Sequence, residues 1–324
     1  MMVLLQRKII YMNYVPPGAR EEQLANTKVA KGISCEEVAI PGEKGITLHG
    51  VVVRRESSSP DPKTVIFYMQ GNAGTPLARM PVFQRLLLGI RLTPHSTPPS
   101  DALSDTAVLA VAPRSYWKST PRRCTERGLL CDYEHALSWA CARFPNSQVV
   151  LYGHSLGGAA AVCLAARLRD GCALRNVAGL VLENPLGSVP AMVKALYPQR
   201  WLPYHHLGAF AIDRWDAVGA MVRARKDPGC LLHRLARGML LVLSKKDEIV
   251  PNCQGMAIFD AARAGEEDAE KEGTRRVVVL NSALHENAWR DRQWRTEVEA
   301  YVRAIQERPT DEKTGSSVSV LLPY

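Results

Sequence analysis

Eight short β-rich runs recur along the 324 residues, at 35–40 (CEEVAI), 46–53 (ITLHGVVV), 64–69 (TVIFYM), 107–112 (AVLAVA), 148–153 (QVVLYG), 178–183 (AGLVLE), 239–244 (MLLVLS) and 275–280 (RRVVVL). The first two are close enough to form a hairpin. The later ones are almost uninterrupted apolar stretches separated by helix-length segments. A strand with one wet face alternates polar and apolar residues, so continuous runs of this kind mark strands covered on both faces of a parallel sheet. They predict an α/β layer architecture, with an eight-stranded, mostly parallel sheet flanked by helices. Helical periodicity is clearest over Leu129 to Ala142, over Leu156 to Leu168, and in the segment carrying Trp294, Val298, Tyr301, Val302 and Ile305.

With 46% hydrophobic residues, a chain of this length can bury one large core. The expected organisation is an arm over residues 1–34, a single domain over 35–307, and a tail over 308–324 whose lack of periodicity predicts disorder. Two polar, proline-rich stretches, ESSSPDP (56–62) and TPHSTPPSD (93–101), are expected to be exposed loops. One segment breaks the strand–helix alternation. More than fifty residues separate the runs at 178–183 and 239–244, and their aromatic-rich part, at about 186–235, is expected to form a small helical cap over the C-terminal edge of the sheet. Tyr197, Trp201, Tyr204, Phe210 and Trp215 would then lie over the site, an apolar lid suited to an acyl chain.

The formal charge of +9 comes from basic residues scattered along the chain, not gathered into one stripe with interleaved aromatics. Nucleic acid is therefore not an expected partner; the excess reads as general attraction to anionic membrane surfaces or as nothing at all. The eight cysteines form no CxxC pair and no metal-ligand spacing, and no N-x-S/T sequon occurs, as expected for buried thiols in a reducing, intracellular compartment. The N-terminal apolar run before Gln6, Arg7 and Lys8 is too short for a signal-peptide core or a transmembrane span. It reads equally as an amphipathic arm lying on a membrane and as a first element packed on the domain. The protein is thus expected to be cytoplasmic or peripheral on a membrane.

The chemistry is concentrated at VVLYGHSLGGAAAV, residues 149–162, where a β-branched run breaks at Gly153 and continues as small helix formers. Gly153-His154-Ser155-Leu156-Gly157 is the G-x-S-x-G pattern of a nucleophile elbow, a strained strand-to-helix turn that lifts a serine hydroxyl above the sheet edge. A serine hydroxyl is a poor nucleophile until a base takes its proton, and that base needs a carboxylate to orient it. Asp247, just past the run at 239–244, and His285, in the loop after the final run, follow in the required order. Glu183, at the end of its run, is the alternative acid. His154, adjacent to the serine on a sharp turn, is expected to pack beneath the elbow. The oxyanion hole needs two backbone N–H groups. Leu156 supplies one, and the loop QGNAG after the run at 64–69 supplies the other, expected from Asn72.

Together the stretches FYMQGNAG, YGHSLGG, LENPLGSVPAMV, DRWDA, SKKDEIVP and HENAW resemble the bud-emergence-type family of alpha/beta hydrolase domain-containing serine hydrolases, over about residues 5–305. The resemblance implies an alpha/beta-hydrolase fold, a Ser155–Asp247–His285 triad, and hydrolysis of carboxyl esters or thioesters without metal or organic cofactor. Relatives of that kind include protein depalmitoylases and lysophospholipid lipases, commonly membrane-attached. Three departures stand out. Gln70 replaces the usual histidine of a His-Gly-Asn-Ala-Gly loop. PRSYWKS (113–119) stands where relatives often have a Tyr-Arg-Gly-Tyr-Gly turn, which suggests that Trp117 fills part of the pocket. The transmembrane helix that many relatives carry just upstream of QRKIIYM is absent here or lies outside this sequence. The expected activity is therefore that of a serine esterase, thioesterase or lipase. The competing readings are a catalytically impaired scaffold or binding protein with the same fold, and an aminopeptidase-like or lipid-transfer protein using the same pocket.

Overall fold

The structure is a computed structural model describing residues 2–89, 101–264 and 275–308, without the side chains of residues 2–5 and Tyr204. The tail beyond Arg308 and nearly all of the proline-rich stretch at 93–101 lie outside these residues.

All eight runs are strands: β1 (Ile33–Pro41), β2 (Thr47–Arg55), β3 (Thr64–Met69), β4 (Thr106–Ala112), β5 (Gln148–His154), β6 (Val177–Glu183), β7 (Leu240–Ser244) and β8 (Arg276–Leu280). They form one sheet in the order β1-β2-β4-β3-β5-β6-β7-β8. β1 and β2 pair antiparallel, and β2 pairs antiparallel with β4. Every remaining pairing is parallel. β3 and β4 are buried at every residue, as their unbroken apolar sequences require. The chain steps outward from β3 to β4 and then returns across β3 to β5. The strand order therefore reverses between β3 and β5, and in open α/β sheets ligands bind outside the strand ends at such a reversal.

The helices are α1 (Met2–Ile10), α2 (Met80–Leu88), α3 (Glu126–Arg143), α4 (Leu156–Arg167), α5 (Val189–Leu196), α6 (Ala217–Arg225), α7 (Leu231–Ala236), α8 (Asn252–Arg263) and α9 (Arg292–Gln306). α9 buries the stripe Trp294, Val298, Tyr301, Val302 and Ile305 anticipated from its periodicity. After Leu156, α4 continues with Gly157, Gly158 and three alanines, all buried, so its axis runs close to the sheet. Within the long insertion, α5 packs against a 3₁₀ segment, Pro203–Phe210, while α6 and α7 pack against α4 on the flank of the sheet. The aromatic residues of the insertion divide. Trp215 is fully buried, whereas Trp201 and Phe210 are 80% and 63% exposed and face solvent.

The N-terminal segment is tied to the domain at several points. Arg7 pairs with Asp213 at 2.8 Å, and the Ile212 amide donates to the Gln6 side chain at 2.8 Å. The Trp215 indole donates to the Tyr11 hydroxyl at 3.1 Å, and Met12 forms a parallel bridge with Ala73.

Candidate active site

Ser155 occupies the single position between β5 and α4, with φ 57° and ψ −120°. This is a costly conformation for a residue with a Cβ, and the surroundings hold it. The Ser155 amide donates to the Glu183 carbonyl at 2.9 Å, and its own carbonyl accepts from Gly158 and Leu186. The glycines of the pattern are needed for close approach. A Cβ on Gly157 would stand 2.5 Å from the Gln70 carbonyl oxygen and closer still to that of Met69, and one on Gly153 would stand 2.6 Å from Gly158 Cα. These contacts press the elbow against the end of β3 and against its own helix.

Asp247 and His285 follow the C-terminal ends of β7 and β8, on the same sheet edge as Ser155. His285 Nδ1 donates to Asp247 Oδ2 at 2.7 Å, with both side chains almost completely buried. The other carboxylate oxygen, Oδ1, accepts from the Ile249 and Val250 amides at 2.9 and 2.7 Å, which fixes the orientation of the acid. Among the described residues no hydrogen bond joins the Ser155 hydroxyl to His285. Catalytic contacts in ligand-free enzymes are often long and tighten when substrate binds. Glu183, the alternative acid, does not face His285. Its Oε2 accepts from the Tyr152 hydroxyl and from the Trp294 indole, the latter at 2.8 Å.

His154 lies beneath the elbow, 1% exposed, with its ring 4.9 Å from that of His285. Its Nε2 bonds the His285 carbonyl at 3.1 Å, and the Asn184 amide group donates to the same carbonyl at 3.1 Å. The His285 amide donates to Glu248 at 3.0 Å. Asn184 and Glu248 thus set the backbone of the histidine loop. Asn184 follows β6 in a left-handed conformation, φ 44°, and its side chain also bonds the Ser244 amide and hydroxyl. The only sequence signal for it was an asparagine directly after a strand.

The loop after β3 is held from three sides. The Asn72 carbonyl accepts from the Met12 amide at 2.8 Å and from the Tyr116 hydroxyl at 2.9 Å, and the Gly74 amide donates to the Val15 carbonyl at 2.9 Å. Gln70 donates across the loop to the Gly74 carbonyl at 3.0 Å. The departure from histidine therefore leaves the loop closed by a side-chain bond. Among the described residues the amide N–H groups of Asn72 and Leu156 form no hydrogen bond.

The structure corrects the expected place of Trp117. Its indole donates to the Glu22 carbonyl at 2.8 Å and its ring packs edge-on to His49, away from the elbow. Its neighbour Tyr116 lines the cavity instead, with Gln70, Gly71, Leu156, Gly157 and Trp215. The cause is backbone conformation. Ser115 and Trp117 stand where the related turn has glycines and take φ of 68° and 43°, so the turn keeps a glycine-like path and sends alternate side chains in opposite directions. The cavity measures about 10 Å³, room for roughly one water.

An eight-stranded sheet of this order, with a strained serine at the strand reversal and an acid–histidine pair on the same edge, defines the alpha/beta hydrolase fold. The alpha/beta hydrolase fold family matches residues 88–219. Protein bem46 of Schizosaccharomyces pombe is 24% identical over 256 residues, covering 78% of this chain and 74% of that protein. The lysophosphatidylserine lipase ABHD12 of Danio rerio is 25% identical over 64% of this chain but only 49% of its own length. Among solved structures, the Pyrobaculum calidifontis esterase superposes with a TM-score of 0.56 at 16% identity, covering 94% of this chain and 93% of the esterase. The chain is thus similar to the alpha/beta hydrolase domain-containing proteins of the bem46 type.

Proposed function

We propose that the protein is a serine hydrolase that cleaves carboxyl esters or thioesters of acyl substrates. The observation that carries this reading is the 2.7 Å bond between His285 Nδ1 and Asp247 Oδ2, on the sheet edge that also carries the Ser155 elbow. With Nδ1–H engaged by the carboxylate, His285 keeps the lone pair of Nε2 for the serine proton. Ser155 Oγ attacks the acyl carbon as His285 Nε2 takes its proton, and the Leu156 and Asn72 amides receive the developing oxyanion. His285 then returns the proton to the leaving alcohol or thiol. Water activated by the same histidine hydrolyses the acyl-enzyme. A lipase among the relatives supports an acyl-lipid substrate, as bem46-type kinship supports the fold.

A fluorophosphonate probe tests the nucleophile, because an activated serine attacks phosphorus as it attacks an acyl carbon. Labelling of the folded protein, absent in Ser155→Ala, is the expected result. Absence of labelling in the wild type, or equal labelling of both, would refute the reading.

The substrate source we propose is a membrane surface. Ile9, Leu196, Trp201, Phe210 and Ile212 are exposed, with Lys8, Lys194 and Arg200 among them, and the Arg7–Asp213 pair joins the arm to the insertion. Among the described residues no helix is long and apolar enough to cross a membrane. Each basic residue near an anionic leaflet contributes about 1 kcal/mol, which gives reversible attachment. Sedimentation with anionic but not neutral vesicles at low salt is expected. Equal recovery in the supernatant with both would count against it.

A further inference from the structure

Two side chains beside the candidate triad have no part in the proposed proton transfers, and their chemistry is that of metal ligands. His154 is completely enclosed, and burial pushes its imidazole below the ordinary histidine range, so the ring is neutral. Its Nε2 faces a carbonyl, that of His285, and must therefore carry the proton. The lone pair then lies on Nδ1, which is buried and has no hydrogen-bond partner. That nitrogen faces Gly71 beside the nucleophile. A Cβ built on Gly71 would lie 3.5 Å from His154 Nδ1 and 3.4 Å from Ser155 Cβ. A buried ring nitrogen without a partner costs free energy in a native structure and calls for an explanation.

Glu286 follows His285 and is half exposed. Its Oε2 accepts from the Arg79 guanidinium, an opposite charge that favours the carboxylate form. The other carboxylate oxygen is not taken by Arg79. One ligand atom from each of His154, His285 and Glu286 lies within 4.8 Å of the others. Zinc binds imidazole nitrogen and carboxylate oxygen at about 2.0–2.2 Å, which puts tetrahedral ligand atoms roughly 3.3 Å apart. A ligand set this wide must draw in by on the order of 1.5 Å to close on zinc. Arg79 opposes a cation here. The carboxylates of Glu183, 3.8 Å from His154 Nε2, and of Asp247 and Glu248, which bond the His285 ring and amide, oppose Arg79 in turn.

We propose that His154, His285 and Glu286 form an inhibitory site for a divalent transition ion, with Zn²⁺ as the best fit. Two imidazoles and one carboxylate favour zinc or copper over magnesium and calcium, which demand oxygen ligands. Since Asp247 occupies Nδ1 of His285, the metal takes Nε2, the lone pair that would accept the Ser155 proton. Binding therefore blocks the nucleophile without touching it. The blocking effect rests on the proposed serine-hydrolase reading, whereas metal binding does not.

The two are separated by measuring binding first. Ser155→Ala protein, freed of metal with a chelator, is titrated with ZnCl₂ in competition with a chromophoric zinc indicator. One equivalent is expected to bind, magnesium at a large excess should not displace it, and Glu286→Gln and His154→Gln should each weaken it at least about tenfold. In wild type, the same zinc concentration should slow fluorophosphonate labelling, and excess chelator should restore it. The ratio of rates without and with zinc should fall towards one in Glu286→Gln, each variant being compared with its own metal-free rate. Absence of stoichiometric binding, binding unaffected by Glu286→Gln, or zinc-bound protein labelled at the metal-free rate would each overturn the proposal. If Ser155→Ala binds zinc as described and wild type never reacts with the probe, the site stands and the hydrolase reading falls.

Discussion

Replacing Asp247 by asparagine is the most discriminating perturbation of the candidate triad, because the structure dictates which way the amide must point. Oδ1 accepts from two backbone donors, Ile249 and Val250, while Oδ2 accepts from His285 Nδ1. An asparagine that turned its NH₂ towards the two amides would leave both without an acceptor, at about 1–3 kcal/mol each. The side-chain oxygen therefore stays at the Oδ1 position, and the NH₂ faces His285. The histidine must then accept at Nδ1 and carry its proton on Nε2, which cannot take the serine proton. Restoring the useful tautomer costs about 2–6 kcal/mol, a rate loss of roughly 30-fold to somewhat above 10⁴-fold at 1.36 kcal/mol per decade. The equivalent change in a serine protease costs about 10⁴-fold in kcat. Steady-state hydrolysis of a p-nitrophenyl acyl ester measures it, with thermal unfolding to confirm an intact fold. Glu183→Gln is the control, since that carboxylate serves Tyr152 and Trp294, and it should lose less than about tenfold. Wild-type turnover in Asp247→Asn, or a larger loss in Glu183→Gln than in Asp247→Asn, would refute the assignment.

Three further outcomes are expected. Gly157→Ala sets a methyl against the carbonyls of Met69 and Gln70, which are backbone and cannot swing away, so denaturant unfolding should show a loss of about 3 kcal/mol or more; an unchanged midpoint would contradict it. Tyr116→Phe removes one of two donors to the Asn72 carbonyl, and kcat should fall severalfold with KM unchanged and stability lower by about 1 kcal/mol; a change confined to KM would mean that the tyrosine contacts substrate instead of positioning the loop. The Glu286 carboxyl, ordinarily near 4.5, is held at about 2, so its contribution to stability is complete above its unfolded value and is lost as pH falls towards 2. Glu286→Gln should therefore lose stability relative to wild type at neutral pH and converge with it near pH 2; a difference independent of pH would dispose of the argument.

The sheet was legible because burial on both faces leaves its signature within each strand. All eight runs became strands within a few residues of the expected limits, and α3, α4 and α9 occupy the periodic segments. α2 and α8 were not anticipated. MPVFQRLLL is too short to declare a period, and NCQGMAIFDAAR mixes polar residues into its buried face. At the site, the legible residues carry local signals: glycines at a strand-to-helix junction, an acid just past a strand, a histidine in the last loop. Glu248, Arg79 and Tyr116 carry none, and Asn184 only its place directly after a strand. Their partners are 37 to 207 positions away in sequence, so only the folded chain brings them together. Trp117 misled for a related reason. Its side-chain direction depends on left-handed conformations at Ser115 and Trp117 that neither residue type announces.

The N-terminal segment shows how far such non-local pairing reaches into function. From sequence it read equally as a membrane arm and as a packed first element, and the bonds of Arg7, Tyr11 and Met12 make it a packed element. Arg7 and Tyr11 hold the end of the insertion through Asp213 and Trp215, 206 and 204 positions away. Met12, immediately after, donates to Asn72, whose own amide is the proposed oxyanion donor. Trp215 also lines the cavity beside the elbow, in a left-handed conformation of φ 45°. The segment therefore fastens the insertion and the oxyanion loop to each other, while the exposed Lys8 and Ile9 of the same helix are free to meet a surface. If α1 meets a membrane as proposed, its displacement would reach the cavity wall through Trp215 and the oxyanion loop through Met12. Under the proposed function, attachment and acyl transfer would then be coupled by this short segment, and deleting it should disturb both.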